Sequence, residues 1–359
     1  MKNITIIAVT NSYNDTVTML PPSTYIDEIG QVIFHNNPRV EFDGETLSQN
    51  FDYHIDFKIT RDKLHQELLG STYSHYPRLK RRTQYLNVFK FNQGRAPESQ
   101  IVIPHYYMAT LRDSEHVGVT NFGIPKCEKV VIKEQLGARG SNQVVVPTNM
   151  LTTLLKHSKG KTLGEVKEMF PDLIYTDNSK WDINFFDEPS ELFISELITN
   201  VKSEYRLLVG GNKIYGRERM IKAGPYPQAN LEIDKFHTVQ EVVYEPIEDM
   251  FDEALVKTLY EFVDYIDLPI GSVDLYSTTD GTWGIFEYST QYAFHGANPN
   301  FIRDLIVAGI KKVVLRARDD NASINPAGFK KEISEATKLD DSIVINKHEN
   351  RSDYSQKIV

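Results

Sequence analysis

Short apolar runs recur along this chain and predict a series of β-strands. The run Ile4 to Val9 opens the sequence, and 53–59 follows after turns rich in Gly, Pro and Asn. Further runs span 129–133, 143–147 and 191–198, with glycine-containing or polar loops between them. Apolar runs of this length between turn signals are typical of strands. The pattern therefore predicts strands from the first residues to about position 198.

Helical periodicity appears between and after these runs. Apolar residues recur at intervals of three or four across 251–267 and across 300–316, which predicts an amphipathic helix in each segment. A further helical segment, 149–170, is broken at Gly160, and a short helix is predicted at 63–69. Strands and helices together predict an α/β (α+β) fold class.

Two hairpins are predicted from their turns. Residues 204–220 alternate about the turn Gly210-Gly211-Asn212. The second hairpin joins 270–276 to 283–288 through Thr278-Thr279-Asp280-Gly281, and Gly after Asp is a strong short-range hairpin signal. Both segments are therefore expected to form antiparallel strand pairs.

The second hairpin places Asp274 and Glu287 on adjacent antiparallel strands. Carboxylate oxygens are the ligands that a hard cation such as Mg²⁺ prefers, and Mg²⁺ in turn binds nucleotide phosphates. The pair therefore indicates a candidate magnesium site. Two exposed strand acids that bind no metal fit the same pattern, and the residues alone leave both readings open.

Lys133 ends the strand at 129–133 and precedes a loop that contains Gly137, Gly140 and Ser141. A lysine so placed can set its ammonium against phosphates while backbone N–H groups of the loop cover them. This arrangement indicates a candidate phosphate-binding site. A solvated lysine at a strand end is the alternative.

Composition limits the classes of partner. The chain has 359 residues and a formal net charge of −9, with a pI near 5.6. Its length predicts two or three domains. Its acidic charge argues against nucleic-acid binding, which normally needs a basic face. One local basic cluster, 78–82, is either a solvated face or a site for an anion or a macromolecular partner.

The sequence favours a cytoplasmic location. No run approaches the roughly 18 apolar residues of a membrane span, and the run Ile4 to Val9 is too short for a signal peptide. The single cysteine, Cys127, excludes an internal disulfide and points to a reducing compartment. No membrane partner is expected.

The order of these features resembles the ATP-grasp superfamily, and within it the glutathione-synthetase and amino-acid-ligase type. The resemblance runs from about 120 to 316 and depends on the succession of motifs, since each motif alone is loose. The segments that carry it are 131–146, 193–198, 204–220, Asn230, 270–276 and 284–290.

The resemblance implies an ATP-grasp fold, in which two α/β subdomains sandwich ATP. It divides the chain into a small N-terminal α/β domain, 1–120, a lid subdomain, 121–198, a C-terminal subdomain, 199–318, and a polar tail, 319–359. Many members of the superfamily are dimers or tetramers, so a homo-oligomer is possible here.

The resemblance also implies roles for the matching residues. Lys133 would contact the nucleotide phosphates, and Glu196 would lie where adenine and ribose bind. Arg206 and Arg219 would meet phosphate or an acyl-phosphate intermediate. The remaining nucleotide-binding positions, most of them in the loop that closes over the phosphates, are Gly137, Arg139, Gly140, Ser141 and Asn230. The implied magnesium ligands are Asp274, Glu287 and Ser289.

Ser289 departs from the pattern of the superfamily, which usually has asparagine there. A serine hydroxyl is a shorter and weaker ligand than an asparagine carbonyl. Gln291 lies two residues further along, on the same strand face, and its amide oxygen can compensate for the loss.

The implied activity is that of an ATP-dependent carboxylate–amine ligase. It would act through an acyl phosphate with ATP and Mg²⁺, on a small-molecule or peptide carboxylate and an amine. Ser289 leaves a second reading open, a catalytically altered or inactive ATP-grasp protein that binds nucleotide or regulates. A binding protein that docks a macromolecular partner through 78–82 is a third.

Overall fold

The structure is a computed structural model. Its described residues form three β-sheets of five strands each, together with five α-helices. These residues are 6–9, 23–35, 53–56, 73–74, 81–104, 106–110, 127–134, 142–175, 182, 191–219, 243–289 and 298–319.

The helices agree with the predicted periodicity where a prediction was made. Their bounds are α1 Arg81–Asn92, α2 Leu151–Ser158, α3 Leu163–Met169, α4 Glu253–Tyr265 and α5 Pro299–Asp319. The predicted break at Gly160 is confirmed, because this residue separates α2 from α3 with a φ of +70°. Helices at 251–267 and 300–316 are also confirmed, as α4 and α5. The predicted helix at 63–69 lies outside the described residues.

The first sheet is formed by the N-terminal strands. Their bounds are β1 Ile6–Val9, β2 Ser23–Ile26, β3 Gly30–His35, β4 Tyr53–Asp56 and β5 Tyr73–Ser74. The strand order is β2-β3-β1-β4-β5. Strands β3, β1, β4 and β5 run parallel, while β2 pairs antiparallel with β3. The predicted strands at Ile4 to Val9 and 53–59 are thus confirmed in their described parts.

The second sheet is antiparallel throughout. Its strands are β6 Tyr106–Thr110, β7 Lys129–Glu134, β8 Val144–Pro147, β9 Ile174–Tyr175 and β10 Glu191–Glu196. They lie in the order β6-β10-β7-β8-β9. Helices α2 and α3 cover one face, where Leu154 and Val166 pack with Ile132 in a single apolar core. The three strands predicted in this region are confirmed.

The third sheet is also antiparallel and contains both predicted hairpins. Its strands are β11 Val201–Gly210, β12 Lys213–Arg219, β13 Glu245–Pro246, β14 Ile270–Thr278 and β15 Trp283–Ser289. The strand order is β13-β12-β11-β14-β15. Both turns use a glycine with positive φ, Gly211 at +62° and Gly281 at +86°. The three sheets together with the five helices confirm the predicted α/β (α+β) class.

Helix α1 and the segment after it join the second and third sheets. Tyr85 and Val88 of α1 are buried in the core that also contains Phe262 of α4 and Val273 of β14. Val102 forms a parallel bridge with Gly284 at the edge of β15, and β6 belongs to the second sheet. The boundary near 120 remains a prediction, but 81–110 packs with elements that lie beyond it.

Helix α5 packs closely against the hairpin of β11 and β12. A Cβ atom built on Gly210 would lie 2.5 Å from the backbone oxygen of Leu305. The helix is also fixed at its surface, where Nζ of Lys312 is 2.7 Å from Oδ1 of Asp264 on α4. Among the described residues, no helix is long and apolar enough to cross a membrane.

Candidate functional site

The two predicted metal carboxylates lie side by side in the third sheet. Asp274 on β14 and Glu287 on β15 are direct cross-strand partners, and the register shifts immediately after Asp274. Asp274 is buried, whereas the side chain of Glu287 is 30% exposed. The hairpin therefore brings the two acids together, as the turn sequence predicts, and leaves one of them accessible.

Asp274 is bound by both predicted catalytic arginines. Arg206 is its cross-strand partner on β11, and Nη1 of Arg206 donates to Oδ1 of Asp274 at 2.7 Å. Nη2 of Arg219 lies 3.2 Å from the same oxygen. Although burial works in the opposite direction, the two guanidinium groups hold the pKa of Asp274 below its ordinary value. The carboxylate is therefore ionised at neutral pH.

Glu287 has a cationic partner that sequence reasoning did not assign to the site. Nη1 of Arg81 lies 2.5 Å from Oε2 of Glu287, and the arginine side chain is 7% exposed. Arg81 is the first residue of α1 and belongs to the basic cluster 78–82. It therefore faces the site rather than solvent. Within that cluster, Arg78 and Lys80 lie outside the described residues.

Lys133 is buried near the end of β7, with a relative exposure of 4%. Burial and the charge of Arg81 together lower its pKa to about 7, against the opposite effects of Glu287 and Glu204. These charges act on Lys133 from helix α1 and the third sheet, although Lys133 belongs to the second. The candidate site is therefore formed where the two sheets meet.

Arg217 extends the cationic surface along β12. It is the cross-strand partner of Arg206, and its guanidinium carbon lies 5.4 Å from the ring centroid of Tyr244. The Nε atoms of Arg217 and Arg219 are buried, with no hydrogen-bond partner among the described residues. Burial lowers the pKa of Arg217, and Arg219 and Arg206 lower it further, against the opposite effect of Tyr244. The alternation 217, 219 on one strand face is a signal that could have pointed to Arg217.

Glu196 ends β10 at the connection from the second sheet to the third. It is half-buried, and the next residue, Leu197, donates its N–H to the backbone oxygen of Lys129 at 3.1 Å. Burial raises the pKa of Tyr276, and the nearby Tyr85 and Glu196 raise it further. Glu196 therefore lies at the connection between the two sheets, and its role in binding adenine and ribose remains a prediction.

The remaining predicted residues are only partly described. Ser289 ends β15 opposite Ser272 and lies two residues after Glu287 on the same strand. The loop residues Gly137, Arg139, Gly140 and Ser141, together with Asn230 and Gln291, lie outside the described residues. Their roles remain predictions.

The donor chemistry around Asp274 and Glu287 fits a hard divalent cation. The arginines contact Oδ1 of Asp274 and Oε2 of Glu287, so the other oxygen of each carboxylate is not used by these ion pairs. No group of three or more His, Cys, Asp and Glu side chains suited to a metal occurs in the described part of the chain. A cation would therefore need further oxygen ligands, such as Ser289 or phosphate oxygens.

The net charge of the site favours an anion. Among the described residues, the acidic side chains Asp274, Glu287 and Glu204 are outnumbered by the arginines. Those arginines are Arg81, Arg206, Arg217 and Arg219. Buried guanidinium groups remain charged and match the geometry of phosphate and carboxylate oxygens.

No family model matches the chain, and neither does any curated protein. Solved structures are similar to it at low identity. One is the Chryseobacterium gregarium RiPP-associated ATP-grasp ligase in complex with ADP, and a leader and core peptide. It is 15% identical to this chain, and the match covers 85% of this chain and 95% of the ligase chain, with a TM-score of 0.48. The D-cycloserine synthetase DcsG is 11% identical, and the match covers 86% of this chain and 99% of the DcsG chain, with a TM-score of 0.48.

A RimK domain ATP-grasp protein from Sphaerobacter thermophilus is 12% identical, with coverage of 85% of this chain and 97% of its own and a TM-score of 0.46. Two of these three proteins are ATP-grasp proteins by name.

Proposed function

We infer that this chain is an ATP-grasp protein and propose that it is an ATP-dependent carboxylate–amine ligase. The observation that carries the proposal is the convergence of Lys133, Arg206, Arg219, Asp274 and Glu287 at one cation-rich site between two sheets. These residues are spread over more than 150 positions of the sequence. Their common location supports a site for nucleotide phosphates.

In the proposed reaction, a carboxylate oxygen attacks the γ-phosphorus of ATP, and ADP leaves. An amine then attacks the carbonyl carbon of the acyl phosphate, and inorganic phosphate leaves with the bonding electrons and takes up the proton that the amine loses. Lys133, Arg206 and Arg219 would hold the phosphates and stabilise the negative charge that develops on them. Preorganised positive groups in a dry site are well suited to this role.

Mg²⁺ would be held by Asp274, Glu287 and Ser289, and when bound it would offset phosphate charge. Arg206 and Arg219 keep Asp274 ionised, and they fix its orientation from β11 and from β12, the next strand beyond it. The loop 137–141 would exclude water, which would otherwise hydrolyse the acyl phosphate. The substrates would be a small-molecule or peptide carboxylate and an amine.

Calorimetric titration of ATP, with and without Mg²⁺, tests the nucleotide site. We expect binding that requires Mg²⁺ and is lost in both Lys133→Ala and Glu287→Ala. Lys129→Ala is the matched control for the first variant, because Lys129 is exposed on the same strand. Absence of ATP binding in the unaltered protein would contradict the proposal.

Formation of the proposed acyl phosphate is tested with hydroxylamine, which attacks acyl phosphates and forms stable hydroxamates. The protein is incubated with ATP, Mg²⁺ and a panel of carboxylates. We expect one class of carboxylate to give hydroxamate together with ADP. ATP binding without ADP release for any carboxylate and amine pair would favour the second candidate.

That second candidate is a nucleotide-binding or regulatory ATP-grasp protein without ligase activity. Ser289 at the end of β15 and the Arg81–Glu287 ion pair favour it, because both weaken the magnesium site. A Ser289→Asn variant separates the two candidates. A large gain in turnover or Mg²⁺ affinity would indicate a decayed site, whereas a loss of activity would show that serine belongs in a working one.

A further inference from the structure

Arg81 forms an ion pair with Glu287 inside the proposed site, but the proposed reaction gives Arg81 itself no role. Its guanidinium contacts Oε2 of the carboxylate at 2.5 Å. The same carboxylate is one of the three proposed Mg²⁺ ligands. One of its two oxygens therefore already has a cationic partner that the chain itself supplies.

Packing between helix α1 and strand β15 fixes the position of Arg81. The backbone N–H of Tyr288 donates to Oε1 of Gln84 at 3.0 Å. The hydroxyl of Tyr288 accepts a hydrogen bond from Nδ2 of Asn87 at 2.8 Å. Tyr288 directly follows Glu287, so the helix is tied to the strand beside the ion pair. Arg81 is therefore held against Glu287 by the fold as well as by charge.

The positive charges around the two carboxylates oppose the binding of more than one divalent ion. Arg206 and Arg219 already contact Asp274, and Arg81 contacts Glu287. Arginine does not lose its proton in proteins, so these positive charges persist at every physiological pH. Nucleotide phosphates can offset one divalent ion, but a further ion at Glu287 would need the oxygen that Arg81 occupies.

We propose that Arg81 supplies a fixed positive charge at Glu287 in place of a divalent ion, so that the site binds one divalent cation per nucleotide. This inference rests on the proposed nucleotide site. Arg81 is a positioning residue here: it acts on the metal-binding carboxylate and sets how many ions that carboxylate can accept.

The number of bound ions is measured directly with Mn²⁺. The protein is saturated with a non-hydrolysable imido analogue of ATP and titrated with Mn²⁺, and the free ion is followed by electron paramagnetic resonance. We expect one Mn²⁺ per bound nucleotide in the unaltered protein. Two ions per nucleotide would overturn the inference without the need for any variant.

An Arg81→Gln variant should bind one Mn²⁺ more per nucleotide, because Oε2 of Glu287 is released and one positive charge is removed. Arg81→Lys keeps the charge and should retain the count of the unaltered protein. The double variant Arg81→Gln, Glu287→Gln should lose the additional ion. An unchanged count in Arg81→Gln, once circular dichroism shows that it is folded, would overturn the inference.

Arg95→Gln is the matched control, since it removes the same charge from a different ion pair. Nη1 of Arg95 is 2.7 Å from Oε2 of Glu261, away from the site. Its Mn²⁺ count should equal that of the unaltered protein, and an increase there would show that bulk charge alone is responsible. Failure of the nucleotide analogue to bind the unaltered protein would contradict the proposed function itself, whereas binding with two ions would contradict only the role of Arg81.

Discussion

Arg206 and Asp274 face each other on neighbouring antiparallel strands, and a 2.7 Å hydrogen bond joins their side chains. Both residues are buried. A buried ion pair of this kind often adds no net stability compared with apolar residues of similar volume. Removal of one partner is nevertheless destabilising, because it leaves the other charge buried and uncompensated. The pair, with Arg219 on the same oxygen, therefore determines how the third sheet tolerates substitution at the site.

Asp274→Asn should lower the free energy of unfolding by about 3–5 kcal/mol, because Arg206 and Arg219 lose their buried counter-charge. Urea denaturation at neutral pH measures the change. Asp249→Asn, at an exposed acid, is the control and should be close to neutral. A change in Asp274→Asn that does not exceed this control would contradict the assigned ion pairs.

The same variant should alter the dependence of stability on pH. The pKa of Asp274 lies below its ordinary value in the folded protein. Its contribution to stability is therefore present above the unfolded pKa of about 3.9 and is lost as pH falls through the lower folded pKa. In Asp274→Asn the decline in stability below about pH 4 should be shallower.

Lys133→Met should stabilise the protein while it removes nucleotide binding. The folded pKa of Lys133 is about 7, far below the unfolded value of about 10.4. The unfolded chain therefore binds an additional proton between these values, so the lysine opposes folding fully below pH 7 and progressively less up to about pH 10.4. We expect the free energy of unfolding at pH 7 to rise by on the order of 2–4 kcal/mol.

The measurement is urea denaturation at pH 6, 7, 8 and 9, together with calorimetric titration of ATP. The gain in stability from Lys133→Met should shrink as pH rises across this series. Lys129→Met, on the exposed side of the same strand, should leave both stability and ATP affinity unchanged. A lower stability in Lys133→Met at pH 7 would show that the buried ammonium is a net stabilising group.

Tyr288→Phe should loosen helix α1 from strand β15. The substitution removes the acceptor of the Asn87 side-chain N–H, and an unsatisfied group at a partly buried contact typically lowers stability by about 1–2 kcal/mol. Thermal and urea unfolding measure the loss. The double variant Asn87→Leu, Tyr288→Phe should recover part of it, since both polar partners are then gone. Tyr25→Phe, at an exposed tyrosine, is the control.

Gly210→Ala should destabilise the contact between β11 and α5. The new methyl group would lie 2.5 Å from the backbone oxygen of Leu305 and 2.7 Å from its Cα, so the helix must shift. Overpacking of this kind lowers stability by about 1–3 kcal/mol. Urea denaturation checks the value, with Lys213→Ala at the exposed end of the same hairpin as the control. An unchanged midpoint would show that α5 is not held against the hairpin.

Local signals explain why the two hairpins could be predicted from the sequence. The turns at Gly211 and Gly281 lie next to the strands that they join, and positive φ favours glycine there. Asp274 and Glu287 were paired by the same argument. Some residues, including Arg206 and Arg219, received their roles through the resemblance. The structure places these two arginines together at Asp274, and their roles remain to be tested by substitution.

Helix α1 could not be predicted in the same way. Polar residues such as Thr83 and Gln84 are buried in it beside Tyr85 and Val88, so the helix has no simple apolar stripe. Arg81 is 206 positions from Glu287, and no local pattern links residues at that separation. The partner of a site residue that lies so far away in the chain depends on the tertiary fold.

The position of helix α1 has a consequence for the order in which this protein can fold during synthesis. Tyr85, Val88 and Phe91 emerge from the ribosome long before the strands that bury them, β14 and β15, which lie near the end of the described chain. Until then the core around these apolar side chains is incomplete, even though β11 and β12 have already been made, and the side chains are exposed to aggregation or to chaperones. The cation-rich site can therefore be completed only after translation has passed Glu287.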